Sequence, residues 1–214
     1  MSYVDVLSAI SRFRSQLHTF LLRSSCAHIG KDSVIDYTVR IVNPSKLWIG
    51  DEVEIRQGAI VNARSDKEIG IKLENGAHIH QYAYLDSYGG SITLGRGVRI
   101  GHHSVIAGHG GVSFGDWSGV SGLSYVIAAN HNFEDGGPHV LNEETKNGIA
   151  IGENVWGGCG VIICDGVSIG DGAVIGAGAV VRCNVETNMV MMGNPARVIY
   201  EHNAELKNGR PNEI

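Results

Sequence analysis

Aliphatic residues recur at every sixth position through most of the chain. From residue 151 the hexads IGENVW, GGCGVI, ICDGVS, IGDGAV, IGAGAV and VRCNVE run without a gap, and all but GGCGVI open on Ile or Val. A small or β-branched residue holds the fifth place: Val155, Val161, Val167, Ala173, Ala179 and Val185. Upstream the rule holds in blocks of three hexads that start at Ile29, Ile49, Leu73, Leu94 and Phe114, and Ile151 and Ile169 continue the series. Neither a strand of period 2 nor a helix of period 3.6 sets its leaders six residues apart. Three hexads per block predict three short strands per turn of a triangular prism. Leaders point inward, Gly, Asn and Asp turn the corners, and successive coils pair as parallel strands. Seven coils at a spacing of about 4.8 Å give a prism about 34 Å tall.

The residues that break this count are as informative as those that obey it. They are Leu47–Trp48, Lys67–Lys72, Ser91–Thr93, Val112–Ser113 and Asn132–Ala150. The three-hexad phase restarts after each, so every insertion is expected at one corner of the prism, the long one being a loop over 132–150. Lengthening a surface loop costs little entropy, and a long loop on a rigid scaffold usually serves a function. That corner is the place to look for chemistry.

The ends follow other rules. Val6, Ile10, Phe13, Leu17 and Leu21 recur at helical spacing, which predicts an amphipathic helix over 3–23. Its expected role is a cap over the first coil; Arg12, Arg14 and Arg23 leave contact with an anionic membrane surface as the alternative, which is not expected. GNPARVIY (193–200) leaves the hexad rule, and a short helix or loose tail is expected after it. The domain division is a helical cap at 1–28, the repeat at 29–186 and a C-terminal extension at 187–214.

Composition narrows the function classes. The chain has 214 residues, a formal net charge of −5, 30 Gly and only 4 Pro. Gly without Pro fits many tight corners in an ordered fold, and the absence of a basic excess speaks against nucleic acid. Cys26, Cys159, Cys164 and Cys183 show neither CxxC nor zinc spacing and read as reduced thiols. No leader peptide and no apolar stretch of membrane-spanning length is evident, so a cytoplasmic location is expected.

The hexads resemble the left-handed β-helix acyltransferases. IAIGENVWGGCGVIICDGVSIGDGAVIGAGAVV followed by GNPARVI is similar to the maltose, galactoside and capsular-polysaccharide O-acetyltransferase branch. The resemblance implies an all-β, left-handed parallel β-helix; handedness comes from it and not from the count. It also implies acetyl-CoA as co-substrate, assembly as a homotrimer and active sites between neighbouring subunits.

His131 ends the fifth coil where the long insertion begins, and it resembles the family's catalytic histidine. An imidazole near neutrality can take a hydroxyl proton and return it to a departing thiolate, whereas a histidine in that place can also simply cap a loop. The resemblance decides for catalysis. His139, in the same insertion, is the second candidate base or a substrate contact. His109 and Asp86 occupy the same side one and two coils earlier and are candidate acceptor contacts, or solvated corner residues. His102 and His103 are read as surface. The histidines do not have the spacing of a zinc site, so no metal is expected.

For the co-substrate, the resemblance points to coils after residue 150. Trp156 resembles a tryptophan at the CoA and acceptor cleft. Gly158, Gly176 and Ala177 let a pantetheine arm approach the main chain. Arg182 and Arg197 suit the CoA phosphates. Cys159 stands where relatives often carry Ser and is read as a small buried residue, with a covalent acyl-enzyme as the alternative. Gly157 lacks the leader side chain, which either widens the channel or leaves a cavity. The expected activity is acetyl transfer from acetyl-CoA to a saccharide hydroxyl by direct attack. The alternatives are N-acetylation of a nucleotide-linked amino sugar and a non-catalytic assembly or binding protein.

Overall fold

A computed structural model describes residues 3–132, 138 and 143–202 of the chain. The hexad register is the register of the fold. Ile29, Ile49, Leu73, Leu94, Phe114, Ile151 and Ile169 are successive partners in one parallel sheet, face A. Ile35, Ile55, Ile79, Ile100, Val120, Gly157 and Ile175 are partners on face B. Ile41, Val61, Leu85, Ile106, Val126, Ile163 and Val181 are partners on face C. The chain visits A, B and C in turn, which makes a parallel β-solenoid of about seven coils. Three edges follow, and they are named here by the faces they join: A/B, B/C and C/A.

The interior is filled by the leaders and by the fifth-place residues, which are buried from Val53 and Ala59 up to Ala173 and Ala179. Each buried Ile or Leu contributes about 1.5–3 kcal/mol, and no charged group interrupts this column. Gly157 opens no channel: a Cβ there would meet Val120 Cγ1 at 3.0 Å, so the valine one coil below already fills the space.

All five insertions lie on the C/A edge, as the count requires. Their last two residues, however, are strand. Leu47, Ile71, Ile92, Val112 and Ile149 pair in series on face A and are buried. Each stands two residues before a leader and therefore points to the same side of the strand. The long insertion also leaves the prism earlier than expected. Asn130–His131 pairs antiparallel with Glu144–Thr145, so the excursion starts as a ribbon of which His131 is part.

The helix α1 (Tyr3–Leu22) sits over the first coil with an unexpected side. Thr19 and Ser15 are its buried residues, while Ile10, Phe13, Leu17 and Leu21 are exposed. Thr19 Oγ1 accepts from Ile35 N at 2.8 Å and Ser15 Oγ accepts from Tyr37 N at 3.3 Å. The hydroxyls thus stand in for the missing strand below face B, because an open sheet edge offers N–H groups and not an apolar surface. No helix among the described residues is long and apolar enough to cross a membrane. At the other end Met189–Met192 extends face B in parallel, and Arg197–Glu201 folds back antiparallel upon it as a strand; the helix or tail expected after residue 200 falls, beyond His202, outside the described residues.

Candidate functional site

The C/A edge gathers a polar group around the ribbon. His131 lies opposite Glu144 in the ribbon. Its Nδ1 is buried and, among the described residues, has no hydrogen-bond partner. A histidine kept only to cap a loop would spend that nitrogen on the loop backbone, because an unpaired buried polar atom is costly. Glu144 Oε2 lies 3.4 Å from His109 Nδ1 and 3.6 Å from Lys146 Nζ. The His109 ring stacks on Tyr88, centroids 4.2 Å apart. The return segment is tied down by Asp165, which accepts from Thr145 Oγ1 at 2.9 Å and from the backbone N–H of Asn147 and Gly148 at 3.1 and 2.9 Å.

Asp86 takes a different place from the acceptor contact expected of it. Its carboxylate is buried and accepts from Asn62 Nδ2 at 2.9 Å, Tyr84 Oη at 2.7 Å and the Tyr88 backbone N–H at 2.8 Å. It holds the Tyr88 turn under His109. Burial, and then the bond to Asp86, push the Tyr84 hydroxyl well above the ordinary tyrosine range. His139 lies outside the described residues. Glu144 and Tyr88 carry no motif; only the pairing across the ribbon and the stacking of coils reveal them.

The residues expected to meet the co-substrate lie elsewhere. Trp156 is half exposed on face B. Gly158 and Cys159, and one coil above them Gly176 and Ala177, form the B/C edge. Gly158 allows the coils to approach, since a Cβ there would come within 2.6 Å of Ala177 N. Arg197 follows Ala196, whose N–H donates to Val180 O at 2.9 Å, and so stands near the top of the same edge. Arg182 belongs to the C/A edge instead. Cys159 is exposed, not buried, because the third place of a hexad turns outward; its Sγ lies 3.0 Å from Ser121 Oγ. Burial raises the thiols of Cys26, to about 11, and Cys164. Within one chain, then, His131 and the small-residue edge flank face C from opposite sides, about 20 Å apart at a rise of roughly 3.3 Å per residue.

No protein-family model matches the sequence. The chain is 36% identical over 158 residues to the galactoside O-acetyltransferase of Escherichia coli (strain K12), covering 71% of each protein. It is 33% identical over 184 residues to the putative colanic acid biosynthesis acetyltransferase WcaF of the same organism, covering 85% of this chain and 73% of that one. Its fold is similar to the crystal structure of AntD, an N-acyltransferase from Bacillus cereus in complex with dTDP and 3-hydroxybutyryl-CoA. There the TM-score is 0.62 at 21% identity, covering 87% of this chain and 88% of the other. With the coil register, the C-terminal hexads and these two relatives in agreement, the chain belongs to the hexapeptide-repeat acyltransferases, in the branch of the galactoside and colanic acid acetyltransferases, and is an acyltransferase enzyme.

Proposed function

We propose that the protein transfers acetyl from acetyl-CoA to a hydroxyl of a saccharide, with His131 as the base, in a site formed between two copies of a homotrimer. The observation that carries this reading is the separation just described. The unpaired imidazole nitrogen of His131 on the C/A edge and the small-residue B/C edge can share one reaction only if the one edge of a copy meets the other edge of the next. A head-to-tail contact of this kind closes into a ring. The outward side of face C supplies a surface for it: Ile60, Tyr84, Val105, Tyr125, Ile162 and Val180 stack in one ladder.

In this site His131 takes the acceptor's hydroxyl proton as the oxygen attacks the thioester carbonyl. The tetrahedral intermediate collapses with cleavage of the C–S bond, and the imidazolium returns its proton to the CoA thiolate. Gly158 N–H is already bonded to Ile175 O at 2.8 Å, so of the two N–H groups at 158 and 159 the one left as oxyanion donor is that of Cys159. A covalent acyl-Cys159 intermediate is not required: among the described residues the hydrogen-bond partner of its thiol is the Ser121 hydroxyl, which is neither a base nor a cation. Two relatives, 36% and 33% identical, are named for acetylation, one of them on oxygen. The N-acyltransferase shares the fold at 21% identity and keeps transfer to an amino sugar as the second reading.

The test is thiol release from acetyl-CoA with hydroxyl-only and amino saccharides, on the wild type and His131→Ala. Transfer to hydroxyl saccharides that falls about 10²–10⁴-fold in the variant, with CoA affinity kept, is expected. Near-normal transfer by the variant defeats the assignment of the base, and transfer to amino sugars alone defeats that of the acceptor.

A further inference from the structure

The outward ladder of face B runs Glu54, His78, Arg99, Gly119, Trp156. Gly119 has no side chain, which leaves a notch between the Arg99 guanidinium and the Trp156 indole. A cavity of about 240 Å³ lies there, lined among others by His80, His102 and Ser121. Gly122 keeps the notch open on its inner side, since a Cβ there would stand 2.5 Å from the His102 ring.

The charge around the notch is one-sided. Glu54 is occupied by Arg56 at 2.9 Å and lies 3.4 Å from His78 Nδ1. Arg99 is exposed and, among the described residues, its guanidinium forms no ion pair or hydrogen bond. The A/B turns carry Asp51, Glu52, Glu74, Asp116, Glu153 and Asp171, whereas the B/C turns from the second coil upward (56–58, 80–82, 101–103, 121–123, 158–160 and 176–178) contain no carboxylate. In a chain of net charge −5, these turns are thus free of carboxylates, and their basic residues are Arg56, His80, His102 and His103. Burial first, and then Arg56, His78, Arg99 and His102, hold the His80 imidazole below its ordinary pKa. The Arg99 guanidinium, with no ion-pair partner among the described residues and set beside a cavity that His80 and His102 also line, makes a site that an anion relieves. The exposed indole offers an apolar flank to a sugar ring, and Ser121, at the notch, touches Cys159 on the edge where transfer is placed.

We propose that this notch binds the anionic group of the acceptor, so that the saccharide acetylated carries a carboxylate or a phosphate. The inference rests on the acetyltransferase reading above and adds the acceptor's charge to it. Arg99 makes the bidentate contact, His102 and Ser121 donate hydrogen bonds, and Trp156 covers the ring.

The experiment compares three acceptors of equal length: a neutral oligosaccharide, one ending in a uronic acid, and one ending in a sugar phosphate. Both kcat/KM by thiol release and equilibrium binding by calorimetry are measured on the full-length wild type, Arg99→Gln and His102→Gln. An anionic acceptor is expected to be favoured about ten-fold or more, and Arg99→Gln to abolish that preference by raising the KM of the anionic acceptor about ten-fold more than that of the neutral one. The better of the two anions tells carboxylate from phosphate. Equal affinity for charged and neutral acceptors, or a preference that survives Arg99→Gln, overturns the proposal. So does a matching loss of CoA affinity in Arg99→Gln, which would give the cluster to the co-substrate. Selective binding of the anionic saccharide without acetyl transfer upholds the notch and removes the activity reading instead.

Discussion

Glu144 faces His131 across the antiparallel ribbon and at the same time sets its Oε2 3.4 Å from Nδ1 of His109, one coil below. The carboxylate therefore ties the return segment of the long insertion to the prism at the point where the candidate base is held. The pair is partly exposed, so its worth to folding is about 0.2–1 kcal/mol or less. Its worth to catalysis is larger if it fixes the ribbon, since small misplacements of a base are expensive. Glu144→Gln and His109→Gln are each expected to shift urea unfolding by under ~1 kcal/mol and to lower kcat about ten-fold, with little change in the CoA KM. The double variant should lose no more than the worse single one. Independent, multiplicative losses in kcat would show that the two residues do not act through one contact.

Asp86 makes the opposite prediction, a stability effect with a spectroscopic signature. Three donors point at its buried carboxylate, and Asp86→Ala is expected to cost about 2–4 kcal/mol. The raised pKa of Tyr84 gives the sign at high pH. The folded state binds that proton more tightly than the unfolded one, so the contribution is fully present below the ordinary tyrosine pKa and fades as pH rises beyond it. Absorbance titration at the phenolate band should show one tyrosine of the wild type ionising late, and Tyr84→Phe should remove it. A set of tyrosines that all ionise together in the wild type contradicts this account.

Particular residues show what the sequence made legible. Ile29 to Ile169 could be placed on one face because the interior of a solenoid accepts only apolar leaders at fixed intervals, and the pairing follows from the interval alone. The corner of the insertions was legible for the same reason. The two residues before each leader were not, since counting hexads assigns Leu47 or Ile71 to a loop although their two-residue offset from the leader sends them into the core. α1 failed differently: its apolar spacing was real, but the surface awaiting it was a row of backbone donors, which selects Ser15 and Thr19. Glu144 was invisible because its place beside His109 is fixed by the path of a ribbon and by no repeat, and Cys159 was misjudged because a cysteine's burial follows its place in the turn.

His80 gives a prediction below neutrality. Its pKa is lowered by burial and by Arg56, His78, Arg99 and His102 around it. A depressed histidine contributes stability that is present above its unfolded pKa, about 6.5, and is lost as pH falls through the lower folded value. Melting temperature should therefore decline on acidification from about pH 6.5, and His80→Gln should flatten that decline. By two-dimensional NMR the His80 ring should titrate below the exposed histidines, and saturating anionic saccharide should bring its titration upward. A ring that titrates with the exposed histidines and ignores the ligand would contradict both the field described for face B and the occupancy of its notch.

The outward ladder of face C decides whether the two edges cooperate. Tyr125 and Ile162 are 44% and 39% exposed in the single chain, and they are direct partners in the sheet. An apolar stripe of this kind on a sheet face marks an interaction surface. In a closed ring each copy would bury it, and Tyr125→Glu or Ile162→Glu would bury an unpaired carboxylate in each contact at a cost of several kcal/mol. Sedimentation should then show the wild type as three chains and the variants as one, with circular dichroism unchanged because both side chains point away from the core. Acetyl transfer should fall with the assembly, and mixing Tyr125→Glu with His131→Ala should restore nothing. A monomeric variant that keeps full activity would mean that one chain completes the site alone, and the pairing of the C/A edge with a neighbour's B/C edge would have to be abandoned.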